Sequence, residues 1–275
     1  MDIGGQALIG GVMIRSKEKV AIALRKKEKI KTVSHPTAKI SKKLAKIPLL
    51  RGIVVLIDSI YTGTKALIYS AKEQEEKEGE ITNTQVAITT TVSFILAIGL
   101  FIVLPLVISK LLTENRFLFN IIDGLLRIII FLGYLLIISM SKEIQRIFQY
   151  HGAEHMSVHC FEHREKLTIE NVKKYSTIHP RCGTSFLIIV LMLSIIIFSI
   201  VWHENFLIKA LQRIILVPVI AAISYEMLKF SAKYDRLFFI KAITYPGLLI
   251  QKITTKQPED AQIEVAIEAV KAATS

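Results

Sequence analysis

The apolar positions of this chain are gathered into long runs rather than spread at the periods of an amphipathic helix or a half-buried strand. Four runs are long enough to cross a bilayer, which takes roughly 20 apolar residues. The first extends from about Val86 to Ile108, carries no charge and contains Pro105, which a membrane helix tolerates. The second, about Phe117 to Met140, holds Asp123 and Arg127 at i, i+4, a spacing that lets them pair on one face. The third, about Ser185 to Trp202, is almost wholly aliphatic, and the fourth, about Phe206 to Met227, contains Lys209, Arg213, Pro218 and Glu226. Short links within each pair predict two helical hairpins. The pattern therefore predicts an α-helical integral membrane protein with about four transmembrane helices and a small N-terminal β-containing cytoplasmic region.

The remaining segments read differently. Leu8 to Ile14, Val20 to Leu24 and Ile30 to Val33 are short apolar runs separated by glycines, Ser16 and charged turns, the pattern of strands in a small sheet. Ile47 to Ala71 is apolar but interrupted by Arg51, Asp58, Gly63 and Lys65, and reads as an interfacial helix. Leu237 to Ile253 is similar, with a break expected at Tyr245, Pro246 and Gly247. Lys72 to Glu80 reads as a charged linker, and the tail after Thr255 as a short amphipathic helix bearing Ile263, Val265, Ala266 and Val270. The division is thus 1–46, N-terminal region; 47–83, interfacial helix and linker; 84–140, first hairpin; 141–184, central loop; 185–228, second hairpin; 229–275, interfacial segment and tail.

Charge sets the expected orientation. The chain has 275 residues, a mean hydropathy of +0.47 and a net charge of +12. Of its 35 lysines and arginines, 16 fall in 1–83, 7 in 141–184 and 7 in 229–275. The positive-inside tendency then places both termini and the central loop in the cytoplasm. The first residues, MDIGGQALIGGVMIR, lack the charged leader of a signal peptide. The basic run from Lys39 to Lys46 suits a solvated face or an anchor to anionic lipid, and no basic stretch carries the interleaved aromatics of a nucleic-acid module. Two cysteines, Cys160 and Cys182, make no disulfide framework and fit a reducing compartment.

The chemistry concentrates in the central loop. His151, His155, His159 and His163 follow one another at intervals of four, so on a helix the first three share a face. HGAEH has the H-x-x-E-H arrangement, in which two imidazoles one turn apart hold a metal ion and the glutamate, Glu154, acts as general base toward water. A catalytic zinc takes a third protein ligand and keeps a position open. His159, Glu162, His179 and Cys182 are the candidates for that ligand, the last two in HPRCG at the far end of the loop. Arg181, between them, suits stabilisation of an oxyanion. A lone histidine at a membrane interface carries no such weight, because a half-polar ring is at home there. Four at one period with a glutamate in the slot point to a divalent metal, zinc foremost. His163 lies where the helix should end, Cys160 falls on another face, and His35 and His203 read as incidental. Between the two motifs, Thr168 caps a helix with Glu170 in its first turn.

The strings GGQALIGGVM, PLLRGI, YHGAEHMSVHCFE, HPRCGTSF and YPGLLIQ span nearly the whole chain, and with them the sequence resembles the YqhQ-type bacterial membrane proteins, a family described as predicted metal-dependent enzymes. Members commonly carry a glutamate where this sequence has Gly10, and often a lysine at Met156. The resemblance implies a bacterial inner-membrane location. Three functions fit: a membrane metal-dependent hydrolase taking a peptide or lipid-linked substrate, a non-catalytic scaffold with a structural metal or none, and a small transporter using the intramembrane charges, more readily as an oligomer. Membrane lipid is an expected partner in each; nucleic acid in none.

Overall fold

The computed structural model describes residues 3–37, 47–74, 82–234 and 238–275. The Lys39–Lys46 run and most of the expected charged linker lie outside them. The N-terminal region is a four-stranded antiparallel meander: β1 (Gly4–Leu8), β2 (Gly11–Arg15), β3 (Lys19–Lys26) and β4 (Lys29–Pro36). The run Leu8–Ile14, expected as one strand, is a tight hairpin. Gly10, at φ +73°, supplies the left-handed turn residue that reverses it. Strand alternation sends Val12, Ile14, Ala21 and Ala23 to one face and Leu8, Met13, Val20, Ile22 and Leu24 to the other, and both faces are buried.

Two helices cover the first face. α5 (Lys142–Glu162) and α10 (Asp260–Thr274) bring Tyr150, Ala153, Met156, Ile263, Ala266 and Val270 against it. The tail expected as a short amphipathic helix is thus an integral part of the core built on the sheet. The second face lies on α1 (Leu50–Gln74), through Ala66 and Tyr69. Arg15 of β2 pairs with Asp58 of α1, and Lys31 of β4 reaches Glu73 at 2.7 Å. The start of α1 rests on a different element. Arg51 pairs with Glu226, and a β-carbon on Gly52 would approach the Ala222 backbone to 3.0 Å.

Among the described residues five helices are long and apolar enough to cross a membrane, one more than the four expected, because Leu50–Gln74 qualifies despite its charges. The other four form the two expected hairpins. α2 (Asn83–Ile98) runs through a single π turn (Gly99–Val103) into α3 (Leu104–Leu112). That turn has a local cause. Pro105 has no N–H to give the Phe101 carbonyl at i−4, and that carbonyl accepts from Arg127 Nη1 at 3.1 Å instead. α4 (Arg116–Ser139) follows, capped by Asn115. α6 (Ile169–Val172) is a single turn capped by Thr168. α7 (Gly183–Ile200) and α8 (Phe206–Lys233) make the second hairpin, with Asn205 as the cap of α8. The hairpins are joined by a buried ionic cluster. Asp123 accepts from Arg127 Nε at 3.0 Å and from Arg213 Nη1 at 2.7 Å.

α9 (Phe238–Thr254) is continuous through Pro246, so the break expected at Tyr245–Gly247 is absent. Packing on α7 overrides the local preference. Gly247 comes so near Ser185 that a β-carbon would lie 2.7 Å from its hydroxyl oxygen. Nor does the second span continue into the histidine helix. The chain turns at Met140–Ser141, and α5 starts afresh with Glu143 in its first turn.

Candidate metal centre

α5 carries His151, Glu154, His155, His159 and Glu162, and the loop before α7 carries His179, Arg181 and Cys182. The two ends of the central loop meet, as their common membrane face predicts. A third segment, not anticipated, locks them. The chain leaving α9 crosses α5 at Gly152, where a β-carbon would fall 2.1 Å from the Lys256 carbonyl oxygen. Lys256 N donates to Phe148 O at 2.9 Å. The Thr254 carbonyl thereby comes to 2.8 Å from His151 Nδ1. Gln251 grips the loop at both ends of its amide: His179 N donates to Oε1 at 2.8 Å, and Nε2 donates to His179 O at 3.0 Å.

His151, His155 and Cys182 each place a ligand atom within 4.8 Å of the others. Their hydrogen bonds fix the tautomers. A carbonyl only accepts, so His151 Nδ1 donates to Thr254 and His155 Nδ1 donates to Thr177 O at 2.6 Å. Each ring keeps its lone pair on Nε2, the arrangement that outer partners impose on metal-binding imidazoles. His151 Nε2 lies 3.3 Å from Cys182 Sγ. Tetrahedral zinc, with bonds of about 2.1 Å to nitrogen and about 2.3 Å to sulfur, sets those atoms roughly 3.6 Å apart. Burial holds both imidazoles neutral, lowering His151 and taking His155 well below its ordinary value, and pushes the Cys182 thiol up to about 11. A bound cation reverses that penalty for the thiol.

Glu154 stands beside this triad. It is 5% exposed, burial raises its carboxyl to about 8, and its Oε2 has no hydrogen-bond partner. A buried orphan carboxylate oxygen costs on the order of 1–3 kcal/mol or more, which ordinary packing would not retain. The far wall is β1, whose Gly5 comes closest to the carboxylate. Strand, α5 and loop enclose a cavity of about 380 Å³ that Glu154, His151, His155, His179, Arg181 and Cys182 all line.

His159, Glu162 and His179 form a second cluster, also with ligand atoms within 4.8 Å. Glu162 and His179 are already fully engaged with one another and with Arg181. His179 Nδ1 accepts from Arg181 N at 3.2 Å, so its Nε2 carries the hydrogen and donates to Glu162 Oε2 at 3.3 Å. Arg181 pairs with the other Glu162 oxygen, and His159 Nε2 donates to Ile178 O at 3.0 Å. Burial pushes Glu162 up, but the bonds to His179 and Arg181 prevail and hold it below the usual carboxylate range. Both nitrogens of His179 are engaged. This tautomer suits a hydrogen-bonded brace rather than a ligand set.

The remaining candidates sit apart. His163 ends α5 and turns its Nδ1 back to the His159 carbonyl at 2.8 Å. Cys160 is buried in the core shared with the sheet. Glu226 of α8 is taken by Arg51. Sequence reasoning gave no role to Gly5, Gly152, Gln251 or Thr254. Three of them lie in quoted strings, but a glycine's need for close approach and a carbonyl's orientation leave no mark in residue type.

A family described as "Protein of unknown function (DUF1385)" matches residues 47–275. The uncharacterized protein YqhQ of Bacillus subtilis (strain 168) is 35% identical over 289 residues, covering 96% of this chain and 90% of that protein. No solved structure matches.

Proposed function

The chain belongs to the DUF1385 family, and we propose that it is a membrane-anchored, metal-dependent hydrolase working at the cytoplasmic surface of the bacterial inner membrane. One observation carries the reading. Two imidazoles, each pinned at Nδ1 by a backbone carbonyl, turn Nε2 toward a cysteine sulfur beside a buried carboxylate with an unpartnered oxygen. His151, His155 and Cys182 would hold the ion, zinc by donor set, and leave a fourth position open. When bound, the ion supplies Lewis acidity to polarise a carbonyl and to acidify water. Glu154 takes the proton from the attacking water and passes it to the leaving group. Arg181, held at the cavity by Glu162, offers positive charge to the developing oxyanion. The second cluster braces the loop that carries Cys182.

Topology supports the sidedness. The sheet, α5 and α10 share one core, so they lie on one side of the membrane. An even number of crossings must then separate the sheet from α5. Three candidates lie between them, and α1 spends Asp58 to Glu73, about 24 Å of helix, against the sheet. α1 is therefore the one that does not cross, and four spans with both termini cytoplasmic satisfy the charge distribution. Asp123, Arg127 and Arg213 are paired with one another, which favours a structural joint over a transport path.

The test is the metal content of detergent-purified protein by plasma mass spectrometry. About one equivalent in the wild type and in Glu154→Gln, lost in a folded His151→Ala/His155→Ala variant, is the expected result. No metal in any of them after incubation with zinc, manganese or iron overturns the reading.

A further inference from the structure

One wall of the cavity is made by five consecutive residues. Ile3, Gly4, Gly5, Gln6 and Ala7 all line it. Alternate residues of a strand point to opposite faces, so consecutive ones share a cavity only where the strand is met edge-on. β1 is an outer strand of the sheet, and among the described residues no chain pairs with its free side.

The ladder fixes which backbone groups point there. Arg25 N donates to Gly10 O at 2.8 Å, so Gly10 and its alternates Val12 and Ile14 direct their backbone groups to β3. Gly11, Met13 and Arg15 then bond to Leu8, Gln6 and Gly4. The N–H and C=O of Gly5 and Ala7 face outward, into the cavity, two residues apart. Glu154 of α5 lies over the face of the same strand at Gly5, where a β-carbon would be 2.7 Å from Oε1, and so stands next to that edge.

We propose that the substrate is an extended polypeptide segment that adds to the free edge of β1, pairing with Gly5 and Ala7 and so laying one of its peptide carbonyls beside Glu154 and the His151–His155–Cys182 triad. Paired donors and acceptors at a two-residue repeat match a strand and no lipid headgroup. The apolar wall of Ile147, Phe148, Val158 and Leu187 takes alternate side chains of the added strand. Main-chain pairing gives affinity with little sequence demand, and leaves an unprotected edge that is blunted here by its position inside a cavity. The proposal rests on the hydrolase reading for its chemistry: water oxygen adds to the carbonyl carbon, the C–N bond breaks, and the proton taken by Glu154 goes to the departing amine.

The test uses full-length Glu154→Gln protein in lipid nanodiscs, immobilised and exposed to a degenerate synthetic library of end-blocked eight-residue peptides. The same protein with Ala7→Pro is the comparison, since proline removes an outward N–H and leaves the ladder bonds of Gln6 and Leu8. Retention at least tenfold above Ala7→Pro is expected. Because that variant can fail by misfolding, enriched peptides are also N-methylated at single positions and rebound to the parent. Loss confined to one alternating set of positions is the signature of strand pairing. No enrichment over Ala7→Pro, or binding indifferent to N-methylation, overturns the proposal. Metal measured in the same samples separates the two ideas: peptide without metal retains strand addition and removes the hydrolase, and metal without peptide does the reverse.

Discussion

Gly5 lies so near Glu154 that a β-carbon on the glycine would stand 2.7 Å from Oε1 and equally near the Met13 carbonyl oxygen. The carboxylate can swing aside, but the backbone carbonyl cannot. Gly5→Ala should therefore cost about 1–3 kcal/mol by overpacking, read as a lower thermal midpoint in detergent. Metal stoichiometry should stay at the wild-type value, because the displaced group is the base and not a ligand.

The two clusters should respond differently to mutation. Cys182→Ser should remove bound metal, whereas Glu162→Gln should keep it. The second change removes the negative charge that His179 and Arg181 share, each at its own oxygen. It should lower stability by about 1–3 kcal/mol through partners left without an anion. Parallel metal analysis and thermal unfolding decide this, and two equivalents of metal in the wild type would contradict it.

Gln251 is fully buried and touches no candidate ligand except through the His179 backbone. Gln251→Leu keeps the volume and deletes both bonds. Metal affinity should fall about 10–100-fold, as for other outer partners that orient a site. Competition with a chromophoric chelator measures it.

Within the membrane, Asp123 accepts from two arginines and is 3% exposed. Asp123→Leu leaves two buried guanidinium groups without a counter-charge and should cost about 3–5 kcal/mol. Unfolding in a detergent titration should show that loss with metal content unchanged.

Sidedness is testable by single cysteines, since the native Cys160 and Cys182 are buried. Glu28→Cys and Lys166→Cys should react with an impermeant maleimide only in inside-out vesicles. Glu114→Cys and Glu204→Cys, in the two short links of the hairpins, should react only in spheroplasts.

Much of the architecture was written in the hydrophobic pattern. The two hairpins emerged from unbroken apolar runs, and the Asp123–Arg127 pair from its spacing, because both signals are local. α1 read as an interfacial or packed helix from its charges, and it is one uninterrupted helix that packs on the sheet. Asp58 and Arg51 meet Arg15 and Glu226, partners distant in sequence that no window along the chain exposes. Pro246 predicted a break that packing against Ser185 overrides. At the site, residue types and spacing brought out His151, Glu154, His155 and Cys182 together. They did not tell the open triad from the cluster of His159, Glu162 and His179, in which Glu162 and His179 are tied to one another and to Arg181. That difference lies in which ring nitrogen meets a carbonyl, and it depends on Thr254 and Thr177, whose side chains play no part.

The shared core of β2, β3, α5 and α10 also governs when this protein becomes functional. Its apolar faces come from the first strands, the middle and residues 263–273. At a synthesis rate of roughly 5–20 residues per second, the sheet waits on the order of ten seconds or more before α10 emerges from the ribosome. The membrane hairpins are inserted while the water-side core is still unclosed. Termination between α5 and α10 leaves Val12, Ile14, Ala153 and Met156 without the α10 side of their core. Only a chain translated past α9 brings the Thr254 carbonyl to His151.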